Sequence, residues 1–370
     1  MAWAAAVWVS RSATRLSRFA GGSSAARAAI ETKVAKITDA KMKRMRQFLT
    51  TLVVVWTVAS IATFVYSQQQ NIPSAIAIAV LPAFLMEAIF YLMPGFAEVR
   101  KAFDRLGGKP LRAALLAASG VIPYLVEAPR TGTFRLSSFV ALLAVVVVTA
   151  FWYARMRPGV VSDLLFLALI AAAYLPTFKF FEQIYGQPAP HVPLAILGRL
   201  MWIRLGIMAV FSLRGIPDPR FGFIPSRSEW RIGFLYYLFF LPVGGAIAYF
   251  LRFARFHTPA LEWWKLALLA PAMFLAFLWV VALFEEFFFR AFLQRVLAGA
   301  LKSDIAGLAV ASVIFGLAHL PFRVFPNWRF AILGGVSGVF YGLAFLKARS
   351  VRAGMVTHAL VVTTWRLFFS

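Results

Sequence analysis

Ten stretches of roughly twenty mostly apolar residues recur along the chain, near 48–66, 73–94, 136–154, 160–178, 193–213, 231–251, 265–285, 304–320, 329–346 and 351–369. A helix needs about that length to cross the hydrocarbon core of a bilayer. Nothing else limits the fold as strongly, because in lipid every backbone polar group must find its partner within the chain, and a helix achieves this segment by segment. With 61% hydrophobic and only 14% charged residues over 370 positions, and a mean hydropathy of +0.78, the chain lies outside the soluble globular range. The expectation is an all-α, polytopic transmembrane helical bundle embedded in a lipid bilayer.

An eleventh stretch, 111–127, is shorter and less apolar, and loop charge decides whether it counts. Lys and Arg favour the cytoplasmic side of a membrane. If 111–127 spans, seventeen loop Lys and Arg fall on the side of the N-terminus and eight on the other. Dropping it inverts every later loop and spoils the bias, so the reading is about 10–11 spans with a cytoplasmic N-terminus. Residues 1–47 form a basic tail whose only acids are Glu31 and Asp39. Its composition resembles a transit peptide. The preferred reading starts the chain at Met42 or Met45, where MKRMRQFL forms an ordinary bacterial leader running into the first span, which places the protein in a bacterial inner membrane.

The net charge of +24 would suit nucleic acid if it formed a continuous patch. Here the charges punctuate apolar helices, which fits loops lying on anionic headgroups; no nucleic-acid partner is expected. Cysteine is absent. Chemistry therefore rests on carboxylates, imidazoles, hydroxyls and guanidinium groups.

Against that background the stretch 284-FEEFFFRAFLQ-294 stands out, since only 14 acidic residues exist in the whole chain. Glu286 and Arg290 are four apart on a helix, close enough for an ion pair that holds one carboxylate ionised and oriented. Glu285 lies about 100° around the same helix, free for water or substrate. The helical segment beginning near Pro271 turns near Lys302 and Ser303. Glu285 lies 16 residues before Leu301 and His319 lies 16 after Ser303, so both sit ~24 Å from the turn and meet at matching depth. His358 has climbed only ~12 Å from the turn near Ser350, which leaves roughly another 12 Å to account for. Spacing alone leaves His358 equally open to a core role and a functional one. Glu87, Arg199 and Arg204, also within apolar segments, are expected to be paired or cavity-facing structural charges.

The sequences 285-EEFFFR-290, 315-FGLAH-319 and 357-THAL-360 fit, in order, the EExxxR and FxxxH motifs and the start of the HxxxN/D motif. In this the chain resembles the CPBP intramembrane proteases, a family that includes the type II CAAX prenyl endopeptidases. The resemblance covers about 263–369. It implies that Glu285 activates water together with His319, that Glu286 and Arg290 support the site, and that His358 helps hold the oxyanion. Val362 departs from the pattern, because the family carries Asn or Asp there; Thr363, Thr364 and Trp365 are the candidate substitutes. Two Glu and two His also permit zinc, with Glu285, His319 and His358 as ligands. The chain lacks HExxH, and the resemblance allows a metal-free glutamate mechanism equally, which is the preferred one.

The domain reading is a basic tail at 1–47, accessory transmembrane helices at 48–258 and a CPBP-type intramembrane protease domain at 259–370. The functional expectation is an intramembrane endopeptidase that cleaves a peptide or membrane-anchored protein substrate near the cytoplasmic leaflet, CAAX-like tails included. The alternatives are a non-catalytic membrane protein of the same fold, in immunity or binding, and after it a transporter.

Overall fold

The computed structural model describes residues 24–174, 179–323 and 325–369. Half of the basic tail, 1–23, and the last part of the 160–178 stretch, 175–178, therefore lie outside the described residues. The chain forms two compact units that divide between Thr57 and Val58. In the first, the described residues are helical, and the Thr57 hydroxyl bonds back to the Val53 carbonyl at 2.9 Å.

The second unit is a helical bundle. After α1 (Ser24–Gln69), which runs into it, come α2 (Ser74–Leu92), α3 (Ala97–Asp104), α4 (Lys109–Thr131), α5 (Leu136–Arg155), α6 (Val160–Tyr174), α7 (Phe180–Ile184) and α8 (Ala195–Arg214). The chain continues through α9 (Arg227–Phe250), α10 (Trp263–Leu301), α11 (Asp304–Leu317), α12 (Trp328–Ala348) and α13 (Val351–Phe368). Among the described residues, eight helices are long and apolar enough to cross a membrane. Of the other expected spans, α6 and α11 are shorter, and α13 has 18 residues that include Arg352, His358 and Arg366.

Large side chains that a soluble protein would hide face outward, with Trp263 81% and Phe250 80% exposed. In a bilayer this surface meets lipid and carries no penalty. The less apolar stretch at 111–127 lies inside α4, a helix whose buried face includes Ser119 and Glu127. Its hydropathy is low because part of its polar content is turned inward.

Buried charges fasten the accessory helices. Arg204 of α8 donates to both carboxylate oxygens of Glu87 on α2, at 2.6 and 3.0 Å, and to the hydroxyl and carbonyl oxygens of Ser119 on α4. Arg199 pairs with Glu182 nearer the surface. The charges that motivated a transporter are thus partnered ones. Nearby, Asp163 of α6 accepts from Tyr153 and Arg214.

Accessory helices and the last third share one apolar core. Phe287 of α10 packs against Phe211 of α8 and Phe221 of the following loop, with ring centres 5.1 and 5.3 Å away. Arg100, paired with Asp218, lies over the Phe211 ring.

The start of α9 fixes how α13 enters the bundle. Ser226 and Glu229 form a reciprocal cap, a combination that satisfies two orphan amides at once. Glu229 also accepts from Ser350 at 2.5 Å and from Arg352 at 2.9 Å, while the Val351 amide donates to the Pro219 carbonyl. Ser350 is wholly buried as a result. The first turn of α13 is recessed inside the protein, whereas Leu301 and Lys302 at the end of α10 are exposed.

Candidate active site

The depth mismatch expected for His358 does not keep it from the carboxylates. The straight-helix ruler measured α13 from a turn assumed level with the one at 302–303. His358 Nδ1 lies 2.9 Å from Glu286 Oε1, and its Nε2 lies 3.8 Å from Glu285 Oε2. A carboxylate oxygen only accepts, so the first contact places the proton on Nδ1 and leaves Nε2 turned towards Glu285. Of the two imidazoles near the site, His358 is the one paired directly with the carboxylates.

α10 is not a uniform α-helix at this point. It changes to π geometry at Phe277–Ala282 and again at Phe287–Gln294, on either side of the α-helical turn Leu283–Glu286. Single π turns recur at functional sites because they re-aim side chains that a regular helix would stagger. Here the two carboxylates point to different surroundings. Glu286 is fully buried, and the Glu285 side chain keeps 18% of its exposure. A side chain at Gly354 would bring its Cβ within 2.8 Å of Glu286 Oε2, so α13 can approach this closely only with glycine there.

The Phe315 of the FxxxH motif has a physical task. Its carbonyl accepts from His319 Nδ1 at 2.7 Å, which leaves Nε2 as the free lone pair of that ring. Its own ring lies edge-on to His319 at 4.8 Å and to His358 at 6.0 Å, and the Arg290 guanidinium sits over it at 5.0 Å. Arg290 pairs with Glu286 at 3.3 Å, with both side chains wholly buried. This is a contact of charges without hydrogen-bond geometry, since Arg290 Nε and Glu286 Oε2 both lack a bonding partner.

Glu285 and His319 share one compartment. A cavity of about 280 Å³ is lined by both, together with phenylalanines of α10 and Leu164, Leu167, Ala168 and Ala171 of α6. No ion pair within 4 Å joins Glu285 to His319 among the described residues. A second cavity of about 250 Å³ is lined by His319, His358, Tyr341, Val362, Thr364 and Trp365, among others. His319 and Phe315 border both. All five candidate residues are therefore brought together, with His319 where the two cavities adjoin.

Sequence reasoning missed Tyr341, which stacks flat on His358 at 4.5 Å and 14°. Its only signal was position on a span read as apolar filling. The α6 wall was also missed, since nothing in that segment marks it as facing the site. Of the substitutes for the family's Asn or Asp, Thr363 is turned back onto the Ala359 carbonyl and Thr364 is engaged with Tyr237. Trp365 lines the cavity, stacked on Phe253 at 5.1 Å.

The zinc expectation meets a poor fit. Among the described residues, no three His, Asp or Glu side chains are grouped so that they could hold a metal ion. His358 and His319 each engage Nδ1, with Glu286 and the Phe315 carbonyl, and keep Nε2 available, an arrangement that ligating histidines also adopt, so the poor fit lies in the grouping alone. One imidazole nitrogen on each ring and the Glu285 carboxylate remain, and they are not gathered around a common point.

The second cavity includes Phe253 and Phe322, just past the ends of α9 and α11, and Arg366 and Phe369 at the end of α13. Several arginines counted in the loop bias are held in ion pairs, namely Arg100, Arg112, Arg214, Arg290 and Arg352.

Residues 266–364 match the family model described as type II CAAX prenyl endopeptidase Rce1-like. The match contains Glu285, Glu286, Arg290, His319 and His358. No curated protein matches the chain, and no solved structure does. The class is thus a polytopic α-helical membrane protein in which residues 266–364 are similar to the Rce1-like type II CAAX prenyl endopeptidases.

Proposed function

We propose that the protein is an intramembrane endopeptidase in which Glu285 and His319 activate water against a peptide carbonyl where the two cavities adjoin. The observation that carries this reading is the shared compartment: an accessible carboxylate and an imidazole with a free Nε2 line one cavity inside an apolar bundle. In that arrangement Glu285 takes a proton from water as the oxygen adds to the carbonyl carbon. The tetrahedral oxyanion then collapses, the C–N bond breaks, and the proton passes to the leaving amine. His358, held at Nδ1 by Glu286, turns Nε2 towards Glu285; when the ring is protonated at both nitrogens, Nε2–H serves the oxyanion.

The mechanism proposed uses no metal, in keeping with the lack of three grouped ligands among the described residues, and activity is expected to survive chelation with EDTA. The cavity walls are largely phenylalanine, leucine and alanine, which suits a peptide or membrane-anchored protein that is apolar beside the cleaved bond. Purified wild type and Glu285→Gln, reconstituted and incubated with extracted membrane proteins, provide the test through mass spectrometry of new N-termini. New termini with the wild type alone are expected; identical sets from both defeat the assignment.

One observation favours a non-catalytic reading. Val362 lines the cavity where the resemblance implies a polar donor. A biological activity that persists in a Glu285→Gln, His319→Ala double variant would select that reading.

The proposed setting is a bacterial inner membrane with the N-terminus in the cytoplasm. The chain has no cysteine, so single cysteines at Ser303 and Pro326 report orientation directly. An impermeant maleimide applied to the outside should reach position 326 and not 303; the opposite pattern reverses the orientation.

A further inference from the structure

Behind the Glu286–His358 contact lies a buried polar row that the EExxxR motif only begins. Glu286, Arg290 and Gln294 follow one another at four-residue intervals on α10, and they are 0, 0 and 1% exposed. Ser312 of α11, 2% exposed, belongs to the same interior. Seven polar atoms of these four side chains lack a hydrogen-bond partner: Glu286 Oε2, Arg290 Nε, Nη1 and Nη2, Gln294 Oε1 and Nε2, and Ser312 Oγ.

Opposite them, the α12 backbone comes close in matching register. A Cβ on Gly338 would lie 3.0 Å from Arg290 Nη2 and 3.5 Å from the Ser312 Cα, and one on Gly342 would lie 2.7 Å from Gln294 Oε1. Gly338 and Gly342 are four apart on α12, as Arg290 and Gln294 are on α10. A side chain at 342 would also collide with Leu308 Cδ1, so glycine at this register lets α12 approach the row closely.

The donor and acceptor types are complementary to water. Arg290 offers only N–H donors, Glu286 Oε2 only accepts, and Gln294 and Ser312 do both. A buried water takes two to four such partners. We propose that Glu286, Arg290, Gln294 and Ser312 enclose ordered water, and that Gln294 is a positioning residue which, through that water, orients the Arg290 guanidinium behind the Glu286–His358 pair. Gln294 lies outside the EExxxR spacing, so the motif alone does not account for it. The positioning half rests on the proposed hydrolase; the hydration half does not.

Gln294→Leu separates the outcomes, since it keeps the volume and removes both amide atoms. In a hydrated chamber it strips partners from water and from Arg290, and the melting temperature falls by about 2 °C or more. In a dry chamber it removes unsatisfied polar atoms, and an unchanged or raised melting temperature overturns the hydration. Ser312→Ala should shift stability in the same direction by less. An experimental density map that resolves water should show at least one molecule between Arg290, Gln294 and Ser312; well-resolved side chains with nothing between them overturn the proposal.

For positioning, a peptide whose cleavage Glu285→Gln silences is the probe. Gln294→Leu should lower kcat about tenfold, the low end of what loss of an orienting group costs, with KM unchanged and partial recovery in Gln294→Glu. An unchanged kcat defeats the positioning role. If the wild type cleaves nothing, the hydrolase reading fails, while the melting and density results still decide the hydration.

Discussion

Among the described residues the bundle contains two glutamate–arginine pairs with both side chains buried, and they are built differently. Arg204 gives Glu87 two hydrogen bonds and Ser119 two more, and the Phe90 ring lies 4.6 Å from its guanidinium centre. Arg290 touches Glu286 at 3.3 Å without a hydrogen bond, and its other two nitrogens have no bonding partner. Both pairs are withdrawn from solvent, yet the first spends four of the five guanidinium N–H groups and the second retains them. A saturated pair can only fasten helices together. A pair with capacity left over can hold a neighbour in place, and Glu286 spends Oε1 on His358.

The largest effect expected from this contrast is on stability at the saturated pair. Arg204→Ala leaves a buried, unpaired Glu87 carboxylate, and breaking a buried pair in this way costs about 3–5 kcal/mol. Loss of folded protein from the membrane and a lower denaturation midpoint would register it. Replacing both partners, Glu87→Leu with Arg204→Met, should recover most of that loss, because the desolvation of two charges disappears together with their attraction. If the single variant were as stable as the wild type, the pair would not be a fastener and the contrast would fail.

The next effect is catalytic and should leave stability nearly alone. His358→Asn removes the ring between Glu285 and Glu286 and should lower turnover about a hundredfold, equivalent to about 2.7 kcal/mol of barrier. Its melting temperature should stay close to that of the wild type. A large fall in melting temperature with proportionate loss of activity would make His358 a structural group like Arg204.

The same contrast explains what the sequence could disclose. Spans, the paired role of Glu87 and Arg204, and the placing of Glu285 and His319 on one cavity were legible because helical period and rise are local properties. Glu286 with Arg290 was legible as a four-residue spacing, though the missing hydrogen bonds were not. His358 was not placed by rise, and the start of α13 is anchored by the bond from Ser350 to Glu229, 121 residues away. That anchor is a property of packing, and no local pattern announces it. Tyr341 and the α6 wall at Leu164–Ala171 were invisible for the same reason: they join the site only once α12 and α6 have docked.

The smallest effect concerns the position that departs from the family pattern. Val362 lies four residues after His358 on α13, hence on the same face one turn on, and both line the second cavity. An asparagine there would add an N–H donor beside the place where an oxyanion forms. Preorganised donors of this kind supply about 3 kcal/mol in hydrolases built around them. Here the gain should be smaller, because Trp365 is stacked on Phe253 and Phe369, which fixes the wall, and Thr364 is held by Tyr237. Val362→Asn should therefore raise kcat by up to about tenfold, or 1.4 kcal/mol, with little change in KM. A fall in kcat with stability intact would mean that the cavity wall must remain apolar at 362 and that the donor comes from elsewhere. In that event the comparison sharpens, since His358 would be the residue left to serve the oxyanion, and His358→Asn should then cost more than a hundredfold.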